Sequence, residues 1–444
     1  MFPDENSKSA QLFNRALAVM PGGNSRHTVF FQPYPVYIDH AKGSKIVDVD
    51  GVERIDCINN YSSLIHGHNH PKVVEAIKKQ ADKLISVGLP TESEIALAEI
   101  VCDRVPGVEQ IRFANSGTEG VMFAIKAARA YTGRPKIVKV EGAYHGSSDT
   151  AEISLNPGPA DWGEIDSPTS VPPAGVGPGA ASDTLIIPMN NVDIARSIIE
   201  SQADEIAGIV IDPIVNKLGF MAASPEFLKM LREVTTAKGI LLIYDEVYSL
   251  RLGFNGAQGA VGVIPDLTAL GKIIGGGLPV GAVGGRADIM TELFDPRHGA
   301  PKLGHGGTFN ANPMTMAAGA AAMELFDREA FNRLSKLGDR LREGLKEALK
   351  LSQLPGVVTG GASLIGLFHT DQPFGNYRDL VSAIGSDRSI GKRSNQFFQY
   401  LLNHGVYMAP MGFMVLSTAM DEGDIDYILD TSLKGMQIIS EQST

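Results

Sequence analysis

Lys272 is a lone cation in an apolar, glycine-rich segment, Leu270-Gly271-Lys272-Ile273-Ile274-Gly275-Gly276-Gly277. Such surroundings disfavour the charged amine, which promotes nucleophilicity and Schiff-base chemistry. The glycines let the backbone and a flat ligand approach closely. Lys272 is followed by Ile rather than Ser or Thr, so the segment is not a nucleotide-binding P-loop. Asp245 directly follows the apolar run 240–244. A carboxylate beyond the carboxyl end of a strand can bind a metal, act as an acid or base, or partner a cationic ring nitrogen. Glu246 beside it reads as a second ligand or as a solvated side chain. Asn115-Ser116-Gly117-Thr118 follows a strand-like piece and opens a helix. Its free N–H groups, two hydroxyls and positive dipole end suit a phosphate, with a plain N-cap as the alternative.

A phosphate cup, an acid for a pyridinium nitrogen and a lysine for an aldehyde are the three handles of pyridoxal phosphate. Two further pieces fit. Tyr144, in Tyr144-His145-Gly146 after the run 137–140, is placed to stack on a ring. Gly306-Gly307-Thr308 offers a second phosphate contact.

The elements that must hold these residues follow from periodicity. Val121, Ala124, Ile125 and Ala128 form one helical stripe, stopped by Gly133 and Pro135. Apolar runs at 137–140, 206–211 and 240–244 alternate with helical stretches such as 225–237. That alternation predicts right-handed βαβ units and a mostly parallel sheet. Upstream, a strand pair is expected around 36–38 and 45–50, with a hairpin signal at Asp50-Gly51. Residues 71–85 and 92–105 read as amphipathic helices. Residues 156–182 are rich in Pro, Gly and Ser and read as a long surface loop or lid. From Asp327 a long helix is expected, with Leu334, Leu337, Leu341 and Leu345 on one face, before a smaller α+β region.

Composition excludes several classes. The chain has 444 residues, 39 Lys+Arg against 50 Asp+Glu, and a net charge of −11, which argues against a basic nucleic-acid surface. Only Cys57 and Cys102 are present, too few for a disulfide scaffold or a four-cysteine zinc module. No apolar run reaches the ~18 residues of a membrane span. The polar start, without a basic then apolar stretch, predicts no signal peptide and a cytoplasmic home. His66, His68 and His70 alternate as a zinc site would, yet read as part of the fold, so no metal is expected. Gly175-Val176-Gly177-Pro178-Gly179-Ala180 matches a dinucleotide fingerprint but lacks the preceding strand.

Taken in order, Pro21-Gly22-Gly23-Asn24-Ser25-Arg26, the 115–119 turn, Tyr144-His145-Gly146, Asp245-Glu246-Val247, the Lys272 segment and 306–313 resemble class III (fold type I) pyridoxal-phosphate aminotransferases. Within that family the chain is similar to β-amino acid aminotransferases and glutamate-1-semialdehyde aminomutases. The resemblance implies an α/β fold with a large, mostly parallel-sheet domain (71–326) and a smaller α+β domain built from 1–70 and 327–444. It implies pyridoxal 5'-phosphate, passing through pyridoxamine 5'-phosphate, as cofactor. Lys272 would form the Schiff base and shuttle the proton, and Asp245 would keep the ring nitrogen protonated. Ser116, Gly117 and Thr118 would hold the phosphate, while Tyr144 and Val247 would flank the ring. Thr308 would reach the phosphate of the neighbouring subunit, which implies a homodimer with shared active sites.

For substrate, the resemblance implies that Arg26 binds a carboxylate and that Tyr61 belongs to the pocket. Met411 stands where the β-amino acid branch carries an arginine, and a thioether cannot clamp a carboxylate. Val215 stands where relatives hydrogen-bond the ring hydroxyl, leaving Asn216 or Lys217 to do so. The expected reaction moves an amino group from an amine or β-amino acid to a keto acid. The alternative is intramolecular transfer by an aminomutase. Its partners are then small molecules, not nucleic acid or membrane.

Overall fold

A computed structural model describes residues 2–385, 387 and 389–442. Seven strands form the central sheet: β1 (Gln110–Ala114), β2 (Lys136–Val140), β3 (Thr184–Ile187), β4 (Ile206–Ile211), β5 (Leu241–Asp245), β6 (Leu267–Gly271) and β7 (Gly281–Gly285). Their order is β1-β7-β6-β5-β4-β2-β3. Only β7 runs antiparallel to its neighbours; the other pairings are parallel. Every residue of β4 and β5 is buried, because helices cover both faces of a parallel sheet. Alternation along β5 shows the two layers. Leu242 and Tyr244 pack with Phe227, Leu231 and Val234 of α2 (Pro225–Lys238), whereas Leu241 and Ile243 pack with Val121, Ala124 and Ala128 of α1 (Gly117–Thr132).

A second sheet brings distant parts of the chain together. Strands Ile38–Lys42, Lys45–Asp48 and Glu53–Asp56 are antiparallel, and Val406–Tyr407 joins the last in parallel. The first pair sits at 38–42 and 45–48, its first strand further along than the sequence pattern predicts and its second within 45–50. It turns at Gly43, whose φ of +60° suits a residue without Cβ. Asp50-Gly51 makes the next turn, joining the second strand to the antiparallel third as the hairpin signal predicts. The expected leucine stripe is buried on α4 (Arg328–Ser352), which follows α3 (Pro313–Leu325) and precedes a three-stranded sheet of Val357–Gly361, Leu364–Phe368 and Phe413–Val415.

The Pro/Gly-rich stretch 156–182 is not a bare loop. It holds a short hairpin (Gly163–Glu164 with Ser167–Pro168) and a helical turn at Pro178–Ser182. Arg378 pins it, donating to the carbonyls of Trp162 and Gly163 while forking onto buried Glu141 at 2.8 and 3.0 Å. Of the three histidines, His66 and His68 hydrogen-bond different parts of the fold, and the His70 ring lies 5.4 Å from that of His66. His66 bridges Thr418 Oγ1 and the Ala322 carbonyl, and His68 meets Asp56 at 2.7 Å. No helix among the described residues is long and apolar enough to cross a membrane.

Candidate active site

Parallel strands aim their carboxyl ends at one edge of the sheet, and ligands bind there. β5 ends in Asp245 and adjacent β6 ends one residue before Lys272, with Asp245 level with Ala269. A cavity of about 340 Å³ opens at this edge, taking in Arg26, Thr118, Tyr144, Asp245, Val247 and Lys272.

Glycines allow α1 to start here. A Cβ on Gly281 would stand 1.8 Å from the Ser116 carbonyl oxygen, and one on Gly120 would stand 2.6 Å from that of Ala282. The helix therefore rests directly on β7. Ser116 Oγ accepts from the Glu119 N–H at 3.2 Å, and Glu119 reaches back to the Asn115 N–H at 2.6 Å. This reciprocal cap engages the Ser116 hydroxyl. Gly117 and Thr118 line the cavity at the helix end, where the first N–H groups lack intrahelical acceptors.

Asp245 is buried and doubly held. Its Oδ1 accepts from the Val247 N–H at 3.0 Å, and its Oδ2 lies 2.9 Å from His145 Nδ1. His145 is itself buried, and its Nε2 has no protein partner. Asp212, past the end of β4, lines the same cavity; burial and then the charge of Asp245 push its pKa well above the usual carboxylate range. Lys272 adopts φ +50°, a left-handed conformation that costs a non-glycine residue roughly 1–2 kcal/mol. Burial lowers its amine pKa to about 8, against the opposing pull of Asp245 and Asp212. Tyr144, 40% exposed, lines the cavity as well.

Other expected residues have different surroundings. Val215 is buried in the core, and the Lys217 amine is taken by the Leu155 carbonyl and Asn156, so Asn216 is the one of the three that lines the cavity. Arg26 reaches the cavity and donates to Asn60 Oδ1 at 2.9 Å. Both also line a neighbouring cavity of about 550 Å³ that contains Tyr61. Tyr61 donates its hydroxyl to the Thr28 carbonyl. Asn60 and Tyr61 belong to a left-handed turn, Asn59–Ser62. Met411 is 59% exposed and lines neither cavity. Thr308 is exposed beside Phe309 and lies outside both. Glu246 is neither solvated nor a ligand: buried, it accepts from the N–H groups of Ala257 and Gln258 and from Gln258 Nε2. Burial raises its pKa to about 7.

Sequence reasoning overlooked Asp212, His145 and Tyr248. Asp212 follows a buried strand just as Asp245 does, so the strand-end rule reaches it. His145 lay within a quoted motif, with nothing local to name its partner 100 residues away.

The cavity meets the three handles of pyridoxal phosphate with complements: a helix N-terminus for the phosphate, a buried carboxylate for the ring nitrogen and a low-pKa amine for the aldehyde. Its volume suits a small cofactor.

Comparisons with known proteins agree with this geometry. A family model described as aminotransferase class-III matches residues 29–421. A glutamate-1-semialdehyde 2,1-aminomutase of Exiguobacterium sibiricum is 40% identical over 435 residues, covering 96% of this chain and 95% of the relative. An omega-transaminase of Sphaerobacter thermophilus has a TM-score of 0.95 at 45% identity, covering 98% of both chains. A β-phenylalanine aminotransferase of Variovorax paradoxus has a TM-score of 0.86 at 36% identity, covering 97% of this chain and 94% of its own.

Proposed function

Since the chain belongs to the class-III aminotransferases and is a pyridoxal 5'-phosphate-dependent transaminase, we propose that it takes the amino group of an amine or β-amino acid and delivers it to a keto acid. The observation that carries this reading is Arg26. It lines the Lys272 cavity with no carboxylate partner among the described residues, so its guanidinium is available to a substrate carboxylate.

The cofactor supplies an aldehyde that receives the donor's nitrogen and a ring that withdraws electrons from the donor carbon. Gly117 and Thr118 hold its phosphate through the helix end, with Ser116 fixing that end. Asp245 holds a proton on the ring nitrogen, with His145 fixing the carboxylate. Tyr144 and Val247 flank the ring. Lys272 would hold the aldehyde, and its amine, once free, would take up the proton of the donor carbon. Tyr61 borders the substrate's path from the neighbouring cavity, whereas Met411 stands outside both cavities.

We further propose a homodimer in which Thr308 completes the neighbour's phosphate site. Phe309, 61% exposed, and Leu89, 74% exposed, are apolar surface that such a partner would cover.

A second reading, intramolecular aminotransfer, is favoured by the full-length likeness to a named aminomutase. A donor panel tests the first. β-Amino acids, primary amines and α-amino acids are added to the pyridoxal form, and loss of its visible absorbance is followed. Rapid loss with β-amino acids or amines supports the proposal; response to diamino or semialdehyde compounds alone overturns it.

A further inference from the structure

Tyr248 has no place in the scheme above. It lies three residues past Asp245, is buried, and lines the same cavity. The amine of Lys272 stands 3.8 Å from the centroid of its ring. Phe220 packs on the ring at 5.9 Å, and Ile214, Leu364 and Val415 share that apolar cluster. The Asn216 side chain engages its hydroxyl. The ring is therefore held from several sides and presents a face to the lysine.

The charged groups around this pair are few. Asp245 and Asp212 face Lys272, while Tyr61, Tyr144 and Arg251 face Tyr248. Burial holds the Tyr248 phenol neutral far above the working range. Its attraction for an ammonium is then that of an uncharged ring, whose negative π-face favours a cation, most strongly where water is excluded.

We propose that Tyr248 is a positioning residue for Lys272, its ring face being the resting place of the lysine's ammonium whenever the amine is not bonded to the cofactor. This rests on the assignment of Lys272 as the lysine that anchors the aldehyde. The amine must leave in the half-reaction with the donor and return in the half-reaction with the keto acid. A freed ammonium drawn onto Asp245 would neutralise the carboxylate that the ring nitrogen needs. The Tyr248 ring offers the cation a site that consumes no carboxylate and stays within reach of the cavity.

The test uses the full-length chain stripped of cofactor, with pyridoxal 5'-phosphate as probe. The rate of return of the Lys272-linked absorbance is followed against pH, and its midpoint reports the free amine. Tyr248→Leu and Tyr248→Met, which lack the ring, should move the midpoint down by about one pH unit. Tyr248→Phe keeps the ring and should stay near the wild-type midpoint. Either ring-less variant suffices if the other does not fold. The proposal is overturned if both ring-less variants titrate as wild type, or if Tyr248→Phe shifts as far as they do. Absorbance that persists in Lys272→Ala would instead overturn the lysine assignment itself.

Discussion

His145 Nδ1 and Asp245 Oδ2 stand 2.9 Å apart, both residues buried at the carboxyl edge of the sheet. The imidazole fixes the rotation of the carboxylate and leaves it pointing into the Lys272 cavity. Asp245→Asn removes the charge that stabilises a protonated ring nitrogen, so turnover should fall on the order of 100-fold or more. His145→Ala removes only the orienting bond and should cost about 10- to 100-fold. Steady-state kinetics on both variants check the ranking; equal losses would contradict it.

Arg26→Ala should raise KM for a carboxylate-bearing substrate by about 10- to 100-fold while leaving kcat little changed, because a charge-assisted pair is lost in ground and transition states alike. A donor amine without a carboxylate should show no change in KM. An unchanged KM with every carboxylate substrate would remove Arg26 from the substrate site.

The Lys272 amine, with its pKa lowered to about 8, sets a pH dependence. Only the neutral amine attacks an aldehyde. Below pH 8 its neutral fraction falls about tenfold per unit. Cofactor uptake by the stripped wild-type chain should therefore accelerate from pH 6 to about 8 and then level. A rate that continues to climb to pH 10 would place the amine at its ordinary value.

His66 carries a stability prediction. Burial lowers its pKa from 6.5 to about 4. Between those values the unfolded chain holds a proton that the native chain does not, so acidification favours unfolding. The contribution is present above pH 6.5 and is lost as the pH falls toward 4. His66→Gln should lessen the acid loss of stability by about 1.4 kcal/mol per pH unit in that window. Denaturant unfolding at pH 7 and pH 5 measures it; identical pH slopes in wild type and variant would refute it.

What the sequence made legible was local. Apolar runs at 137–140, 206–211 and up to Asp245 mark strands whose ends must face one edge, and the α1 stripe marks a helix packed on their face. The contacts that complete the site are not local. His145 and Asp245 are 100 residues apart, and Arg378 pins a loop more than 200 residues away, so no period in the chain could pair them. Glu246 follows Asp245 directly, yet strand alternation sends it to the opposite side, where it caps a short helix. Tyr248 is hidden for another reason: a single tyrosine in a turn carries no spacing signal, and its meaning comes only from the amine placed above it.

The central claim is transfer between two molecules, and paired half-reactions test it most directly. The pyridoxal form is mixed with excess donor until its Lys272-linked absorbance is gone, the donor is removed, and pyruvate or 2-oxoglutarate is added. The account predicts that the keto acid restores the absorbance and emerges as the corresponding amino acid. Failure of every keto acid, with restoration by a diamino or semialdehyde compound instead, would contradict it.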